Sequence, residues 1–192
     1  MAASACLLTG CTGDMRSALT GSDDDSAGDP VARCTTPADA EILANQLLQL
    51  INLERSERGI SPVVPDSDDV LASVAADYAC SMVEERFFSH EHPVTKTTPA
   101  KRITSSGYRA SAVGENLAAG QRSAGEVVKQ WMNSELHRQN LLSPAWREAG
   151  VAVRAGGTYD IYWVIELAAP RRMEWDFEYP VRAPQAETTP SR

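Results

Sequence analysis

This 192-residue chain contains only three histidines, so few of its side chains can exchange protons near neutral pH. His90 follows an aromatic pair, and His137 lies in a later polar segment. Glu115 lies between them in a segment rich in glycine and alanine. Two imidazoles and a carboxylate can bind a divalent metal or act as acid–base partners. His90, Glu115 and His137 are therefore the candidate catalytic residues and the candidate ligands of zinc or magnesium.

The spacing of these residues does not by itself bring them together. No known metal-ligand spacing fits their separations, so three unconnected polar residues at the ends of elements remain the alternative interpretation. The chain also has no His-Glu-x-x-His, no Gly-x-Ser-x-Gly and no phosphate-binding glycine loop. No nucleophile–base signature of a known enzyme class is therefore present.

The charge balance excludes one class of partner. The net charge is −8 and the sequence pI is about 4.9. Binding to a phosphate backbone needs clustered lysine and arginine, and no run here exceeds two basic residues. We therefore expect no nucleic-acid partner. Hydrophobic residues make up 43% of the chain, which is enough for a packed core, yet no apolar stretch reaches the ~18 residues of a membrane-spanning helix.

The first eleven residues are small and apolar and end in Leu8-Thr9-Gly10-Cys11. This tetrapeptide resembles a bacterial lipobox, in which the cysteine is lipidated and becomes the mature N-terminus. Cys11 would then anchor the protein to the cell membrane, on the extracellular face of the envelope. No Lys or Arg precedes Cys11, so residues 1–11 are interpreted as the remnant of a lipoprotein signal peptide. A terminus with a chance cysteine is the alternative.

Composition divides the remaining chain into a tether, a domain and a tail. Residues 12–33 are rich in Gly, Ser, Asp and Ala and include Asp23-Asp24-Asp25, so we expect a flexible, disordered tether. Residues 34–170 form the predicted domain. Residues 171–192 end in a segment rich in Pro and Thr and form the predicted C-terminal tail.

Cys34 and Cys80 remain once the targeting segment is set aside. An exported chain meets oxidising conditions, so these two cysteines are predicted to form one disulfide. Two buried free thiols are the alternative, because sequence cannot establish connectivity.

The predicted elements are helices first and strands last. Helix starts near residues 36, 66, 98 and 123 follow from caps, acidic first turns and apolar residues at helical spacing. Residues 150–167 are predicted to form a strand hairpin, whereas residues 107–121 are predicted to form a glycine- and alanine-rich loop. This order favours an α+β fold over alternating βαβ units.

Five short blocks occur in an order that resembles the bacterial SCP-like extracellular domains of the CAP superfamily. The superfamily is named after cysteine-rich secretory proteins, antigen 5 and pathogenesis-related proteins. The match covers roughly Thr36 to Pro170. It implies an α–β–α sandwich, with a small antiparallel sheet between helical layers and a polar cleft. The blocks are Leu50–Arg55, Phe87–His90, Gly114–Ala118, Trp131–Leu142 and Gly150–Val153.

The resemblance also implies which side chains meet in the cleft. His90 and Glu115 match a His and a Glu that hold a divalent metal in some members, and His137 matches the His of a bacterial Ser-x-x-His-Arg block. The chain departs from animal and plant members, because residues 162–165 lack their late His and Gln and their second Glu falls near Ser134. The implied ligand-binding cleft comprises His90, Glu115, Asn116, Ser134 and His137.

Three functional hypotheses follow. The preferred one is a lipid-anchored, non-enzymatic module that binds an extracellular ligand, which is a lipid, a small apolar molecule or a cell-wall component. The alternative is a metal-assisted hydrolase of peptide or cell-wall substrates, with His90 and His137 as ligands and Glu115 as third ligand or general base. In the third, the same side chains form a structural network that binds nothing.

Overall fold

A computed structural model describes residues 33–171. The chain divides into two units, residues 1–30 and 31–192, and all described residues belong to the second. The signal remnant with Cys11, nearly all of the tether and nearly all of the tail lie outside the described residues, so these boundaries stay predictions. Within residues 33–171, every helix is too short or too polar to cross a membrane.

Helices precede and flank a three-stranded antiparallel sheet, as the α+β expectation requires. The sheet has the strand order β1-β3-β2, so β3 is central and β1 and β2 are the edges. In chain order the elements are α1 Ala40–Ser56, α2 Val70–Glu84, α3 Pro99–Ser105, β1 Ala110–Ala119, α4 Ala124–Asn133, α5 Glu135–Leu141, β2 Glu148–Ala155 and β3 Ile161–Pro170.

The predicted helix starts near residues 98 and 123 are confirmed by hydroxyl caps, whereas the predicted Thr36 cap is wrong, because α1 begins at Ala40 after Asp39 with no side-chain cap. The Thr98 hydroxyl accepts from the Lys101 N–H, and Pro99 occupies the first turn of α3. For α2, the Asp66 carboxylate accepts from the N–H groups of Val70 (2.7 Å) and Leu71 (3.0 Å). The acidic run before α2 therefore starts a helix, as its position predicted.

The loop predicted for residues 107–121 is wrong over most of its length, because residues 110–119 form β1. This strand pairs with β3, and Glu115 lies opposite Glu166 in the register. Glycine and alanine have low strand propensity, but a strand's stability depends on its neighbours more than on its own composition. The hydrogen bonds and packing that β3 offers decide the structure of this segment.

The sheet lies between two helical layers, which confirms the α–β–α sandwich. One face packs against α1 and α4 through Trp131, Trp163 and Ile165, all of which are buried. The other face packs against α2 through Tyr78 and Val164. Alternate residues of β3 therefore contact the two helical layers, as expected for a strand that is buried on both faces.

Helix α2 lies directly on the edge strand β2. A Cβ atom at Gly150 would lie 2.1 Å from the Ala72 nitrogen and 2.2 Å from the Leu71 carbonyl carbon. No side chain fits in that space, so only glycine permits this approach of helix to strand.

The Leu50–Arg55 block supports the fold rather than the chemistry. The buried Arg55 guanidinium donates to the carbonyl groups of Ser61 (2.9 Å), Leu141 (2.6 Å) and Ser143 (3.0 Å). These bonds connect the end of α1 to the end of α5, because the guanidinium offers several donors in a fixed geometry.

The structure contains the predicted disulfide between Cys34 and Cys80, with a Cα–Cα distance of 5.1 Å. It joins a residue just outside α1 to the interior of α2. The point at which the chain enters the domain is therefore fixed covalently to the core.

Candidate functional site

Glu115, in the middle of β1, is the centre of the candidate site. Its side chain is only 1% exposed. Oε1 lies 2.6 Å from His90 Nδ1, and Oε2 lies 2.5 Å from Nη2 of Arg102. Both carboxylate oxygens are therefore already engaged, one by an imidazole and one by a guanidinium.

Arg102, on α3, positions the loop that carries His90. Its Nη1 donates to the carbonyl groups of His90 (3.1 Å) and Thr97 (3.0 Å). Its guanidinium carbon lies 3.2 Å from the ring centroid of Tyr78, in a cation–π contact. Tyr78 in turn donates its hydroxyl to the Ser89 carbonyl at 2.6 Å. One buried cation thus holds Glu115 and the backbone of the His90 loop together.

Glu166, on β3, places a second carboxyl group directly beside Glu115. It is completely buried, and no donor in the described residues bonds to either of its oxygens. Burial first, then repulsion by the Glu115 carboxylate, raises the pKa of Glu166 well above its usual value. Glu166 is therefore the neutral, protonated member of this carboxyl pair.

We expect the neutral Glu166 to make the protein lose stability as pH rises. The unfolded chain releases this proton near the usual pKa of 4.5, whereas the native chain keeps it. Stability therefore falls by about 1.4 kcal/mol for each pH unit above that value, until the native pKa is reached. Glu166→Gln keeps the size of the side chain and removes the titration, so its stability relative to wild type should rise with pH.

Urea unfolding at about pH 5, 6 and 7 measures this difference, within the range where most domains are stable. Glu57→Gln is the matched control, because Glu57 is exposed and should change the curve little. Parallel stability curves for Glu166→Gln and wild type would show that Glu166 ionises normally in the native protein.

His137, on α5, is the second histidine of the candidate site. Its Nδ1 lies 2.8 Å from the Ser134 hydroxyl oxygen. Burial and the nearby charge of His90 lower the pKa of His137, so it is neutral at neutral pH. The structure thus brings His90 and Glu115 into direct contact, and His137 is near enough to interact with His90 electrostatically.

Asn116 is buried and acts inside the protein. Its side chain donates to the His137 carbonyl (3.1 Å) and accepts from Asn140 (2.9 Å), which also donates to the Glu115 carbonyl. A Cβ atom at Gly114 would lie 2.4 Å from the Asn140 Oδ1. The Gly-Glu-Asn sequence therefore positions α5, and with it His137, against β1.

The side chains present do not fit a divalent metal of the kind implied by the resemblance. The Arg102 guanidinium already supplies the positive charge beside Glu115, and a second cation there would be repelled. Among residues 33–171, no three His, Cys, Asp or Glu side chains are arranged to hold a metal ion. The cation beside Glu115 is therefore the Arg102 guanidinium.

His92, the third histidine, has a structural role. It is buried, its Nδ1 accepts from the N–H groups of Val94 and Thr95, and its Nε2 lies 3.1 Å from Glu85. These bonds hold the loop after α2 in place, so His92 takes no part in the candidate site.

Sequence reasoning missed two residues of the site, Arg102 and Glu166. A charged residue between the apolar Ile165 and Leu167, in a strand buried on both faces, was a signal that Glu166 has a special environment. Arg102 gave no such signal, because a basic residue on a short helix is usually solvent-exposed.

The arrangement is suited to hydrogen bonding with a ligand at its surface. The His90 side chain is 54% exposed, and its Nε2 is not used by the Glu115 contact. His137 is neutral, so it can accept as well as donate. The site therefore presents the exposed His90 imidazole, with the half-buried His137 nearby, beside a charge-compensated carboxylate.

The protein-family model described as "CAP: Cysteine-rich secretory protein family" matches residues 48–167. The chain is 33% identical over 124 residues to the uncharacterized protein YkwD of Bacillus subtilis, a match that covers 65% of this chain and 47% of YkwD. It is 31% identical over 110 residues to the membrane protein YlbC of the same organism, covering 56% of this chain and 30% of YlbC. The chain therefore spans at most about half the length of these curated relatives.

Solved structures agree with the fold. An extracellular protein of Bacillus anthracis that contains an SCP domain matches with a TM-score of 0.59 and 27% identity, over 67% of this chain and 41% of that chain. An outer surface protein of Borrelia burgdorferi matches with a TM-score of 0.60 and 24% identity, over 66% of this chain and 92% of its own. With the family model covering more than half of the sequence, the chain belongs to the CAP, or cysteine-rich secretory protein, family.

Proposed function

We propose that this protein is an exported CAP module that binds a polar cell-wall component and does not alter it chemically. The extracellular relative of Bacillus anthracis supports export. Anchoring to the membrane through a lipid on Cys11, at the extracellular face, is part of the proposal. Of the three ligand classes expected from sequence, the polar side chains of His90, Ser134 and His137 favour the cell-wall component over a lipid or a small apolar molecule.

The state of Glu115 carries the argument against catalysis. A general base needs a lone pair that is directed at the proton it removes. Both oxygens of Glu115 already accept hydrogen bonds, from His90 at 2.6 Å and from Arg102 at 2.5 Å. Freeing one oxygen would leave a buried charge unpaired, which is costly. Glu115 is therefore suited to orienting His90 toward a ligand.

Exposed aromatic rings that include Phe88, in the same loop as His90, support a carbohydrate-containing ligand. Phe88 lies two residues before His90, and its ring centroid is 5.8 Å from that of Tyr159. The two side chains are 42% and 47% exposed, which is unusual for large aromatic residues. Exposed rings of this kind offer apolar surface to the face of a sugar, while neighbouring imidazoles bond its hydroxyl groups.

Calorimetric titration with soluble peptidoglycan fragments tests the proposal. We expect His90→Ala and Phe88→Ala each to weaken binding by about fivefold to tenfold, the effect of one lost hydrogen bond or ring contact. Val94→Ala is the matched control, because Val94 is 77% exposed and lies in the same loop region. Its affinity should equal that of wild type.

Two outcomes would contradict the binding proposal. One is a wild-type protein that retains no wall fragment. The other is turnover of the fragments together with zinc or magnesium that is lost in both His90→Ala and His137→Ala. That second result would favour the metal-assisted hydrolase of peptide or cell-wall substrates instead.

A further inference from the structure

The outer edge of β2 is paired at its two ends and open between them. As an edge strand, β2 bonds to β3 on one side only. On its other side, one isolated bridge joins Thr35 to Ala155 and another joins Val64 to Glu148. The stretch between these bridges is a gap in an otherwise protected sheet edge.

The backbone groups that face this gap belong to Val151, which is half-buried, and Val153, which is buried. The N–H groups of Ala149 and Ala155 both point outward, since they donate to Val64 and Thr35. Backbone direction alternates along a strand, so Val151 and Val153 point outward as well. In the part of the chain that the structure describes, nothing bonds to the Val151 N–H and C=O or to the Val153 N–H.

A cavity of about 630 Å³ lies over this gap, between α1 and α2. Because the two helices cover opposite faces of the sheet, the cavity continues the plane of the sheet beyond β2. Its walls carry small side chains, which leave room for another strand. These are Ala40 and Ala44 on α1, and Ala72 and Ala76 on α2. We call this cavity the β2 edge slot.

The lining of the β2 edge slot is acidic. Glu41, Asp69 and Asp77 are exposed at its margin. Arg154 is the one basic side chain among the described lining residues, and its Nη1 already donates to the Val153 carbonyl at 2.9 Å. An occupant with positive charges is favoured, and an anionic one is repelled.

We propose that the β2 edge slot binds an extended, basic segment of a partner protein, which adds to the sheet as a fourth strand. Its backbone would bond to Val151 and Val153, and its Lys or Arg side chains would lie beside Glu41, Asp69 and Asp77. Strand addition of this kind takes its affinity from main-chain hydrogen bonds and its selectivity from the side chains. The slot lies at the opposite edge of the sheet from the His90 cleft, so this inference is independent of the proposed ligand.

Amide hydrogen exchange of the full chain, followed by NMR, tests the proposal with a defined probe. The probe is the capped peptide Lys-Val-Ala-Val-Lys. In the free protein, the half-buried Val151 should exchange much faster than Ala152 and Arg154, whose amides face β3. The probe should slow exchange at Val151 and Val153 specifically. A Glu-Val-Ala-Val-Glu peptide, or the basic peptide with N-methylated backbone, should not.

Charge reversal separates the slot from general electrostatic attraction. Asp77→Lys and Glu41→Lys should each weaken probe binding by about tenfold, whereas Glu57→Lys should leave it unchanged. All three side chains are exposed, so the variants should keep the wild-type melting temperature.

Several results would overturn the proposal. The probe could leave Val151 and Val153 exchange unchanged, or the acidic peptide could bind equally well. Slow exchange of both amides in the free protein would show that the chain itself covers the slot, and slow exchange only at high protein concentration would show that a second copy does.

Discussion

Glu115→Gln is expected to lower the free energy of unfolding by about 3–5 kcal/mol at neutral pH, the cost of leaving one member of a buried ion pair alone. The Arg102 side chain is only 11% exposed and would lose its counter-charge. Urea unfolding measures the loss, with the midpoint and slope compared with wild type.

Two further variants make this test specific. Glu148→Gln is the matched control on the sheet, because Glu148 accepts from the neutral Tyr108 hydroxyl at 2.5 Å and its amide can still accept. It should cost about 1 kcal/mol or less. Arg102→Met combined with Glu115→Gln should recover part of the loss, since no buried charge is then unpaired. A loss under about 1 kcal/mol for Glu115→Gln alone would exclude a structural role for the ion pair.

Replacing both Cys34 and Cys80 by serine is expected to cost about 3–4 kcal/mol, because the disulfide closes a loop across a sequence separation of 46. The bond restricts the unfolded chain, and the cost follows from the freedom that it removes. Urea unfolding of the double variant, beside wild type with and without reductant, measures the effect.

Reduced wild type serves as the control for side-chain effects of serine, and its stability should match that of the double variant. Equal stability of oxidised and reduced wild type would contradict the prediction. The bridge also has a local role, because Thr35, the residue after Cys34, pairs with Ala155 at one end of the β2 edge slot. Breaking the disulfide should therefore speed amide exchange at Ala155.

The helix starts and the disulfide were predictable because their causes are local or few. A threonine cap before a proline, or an aspartate before an apolar run, acts within one turn of helix. With Cys6 and Cys11 assigned to the targeting segment, Cys34 and Cys80 left a single pairing to consider. The hairpin of β2 and β3 likewise follows from apolar runs on either side of a short turn.

The strand β1 was not predictable on the same grounds. Its glycine and alanine residues favour a loop when they are considered alone. Pairing with β3 over residues 112–119 supplies the hydrogen bonds that make it a strand. Because β1 carries Glu115, this error concerned the element that holds the centre of the site.

By itself, the sequence predicted the starts of α2, α3 and α4, a single disulfide, and, through its family resemblance, that His90 and Glu115 lie together. Only the tertiary structure decided what Glu115 does there. Arg102 reaches Glu115 from α3, and Glu166 lies beside it on β3. Because all three side chains are largely buried, Arg102 acts as a fixed counter-ion and Glu166 stays a neutral acid. Burial is a property of the whole packed domain, so no local pattern of residues could report it.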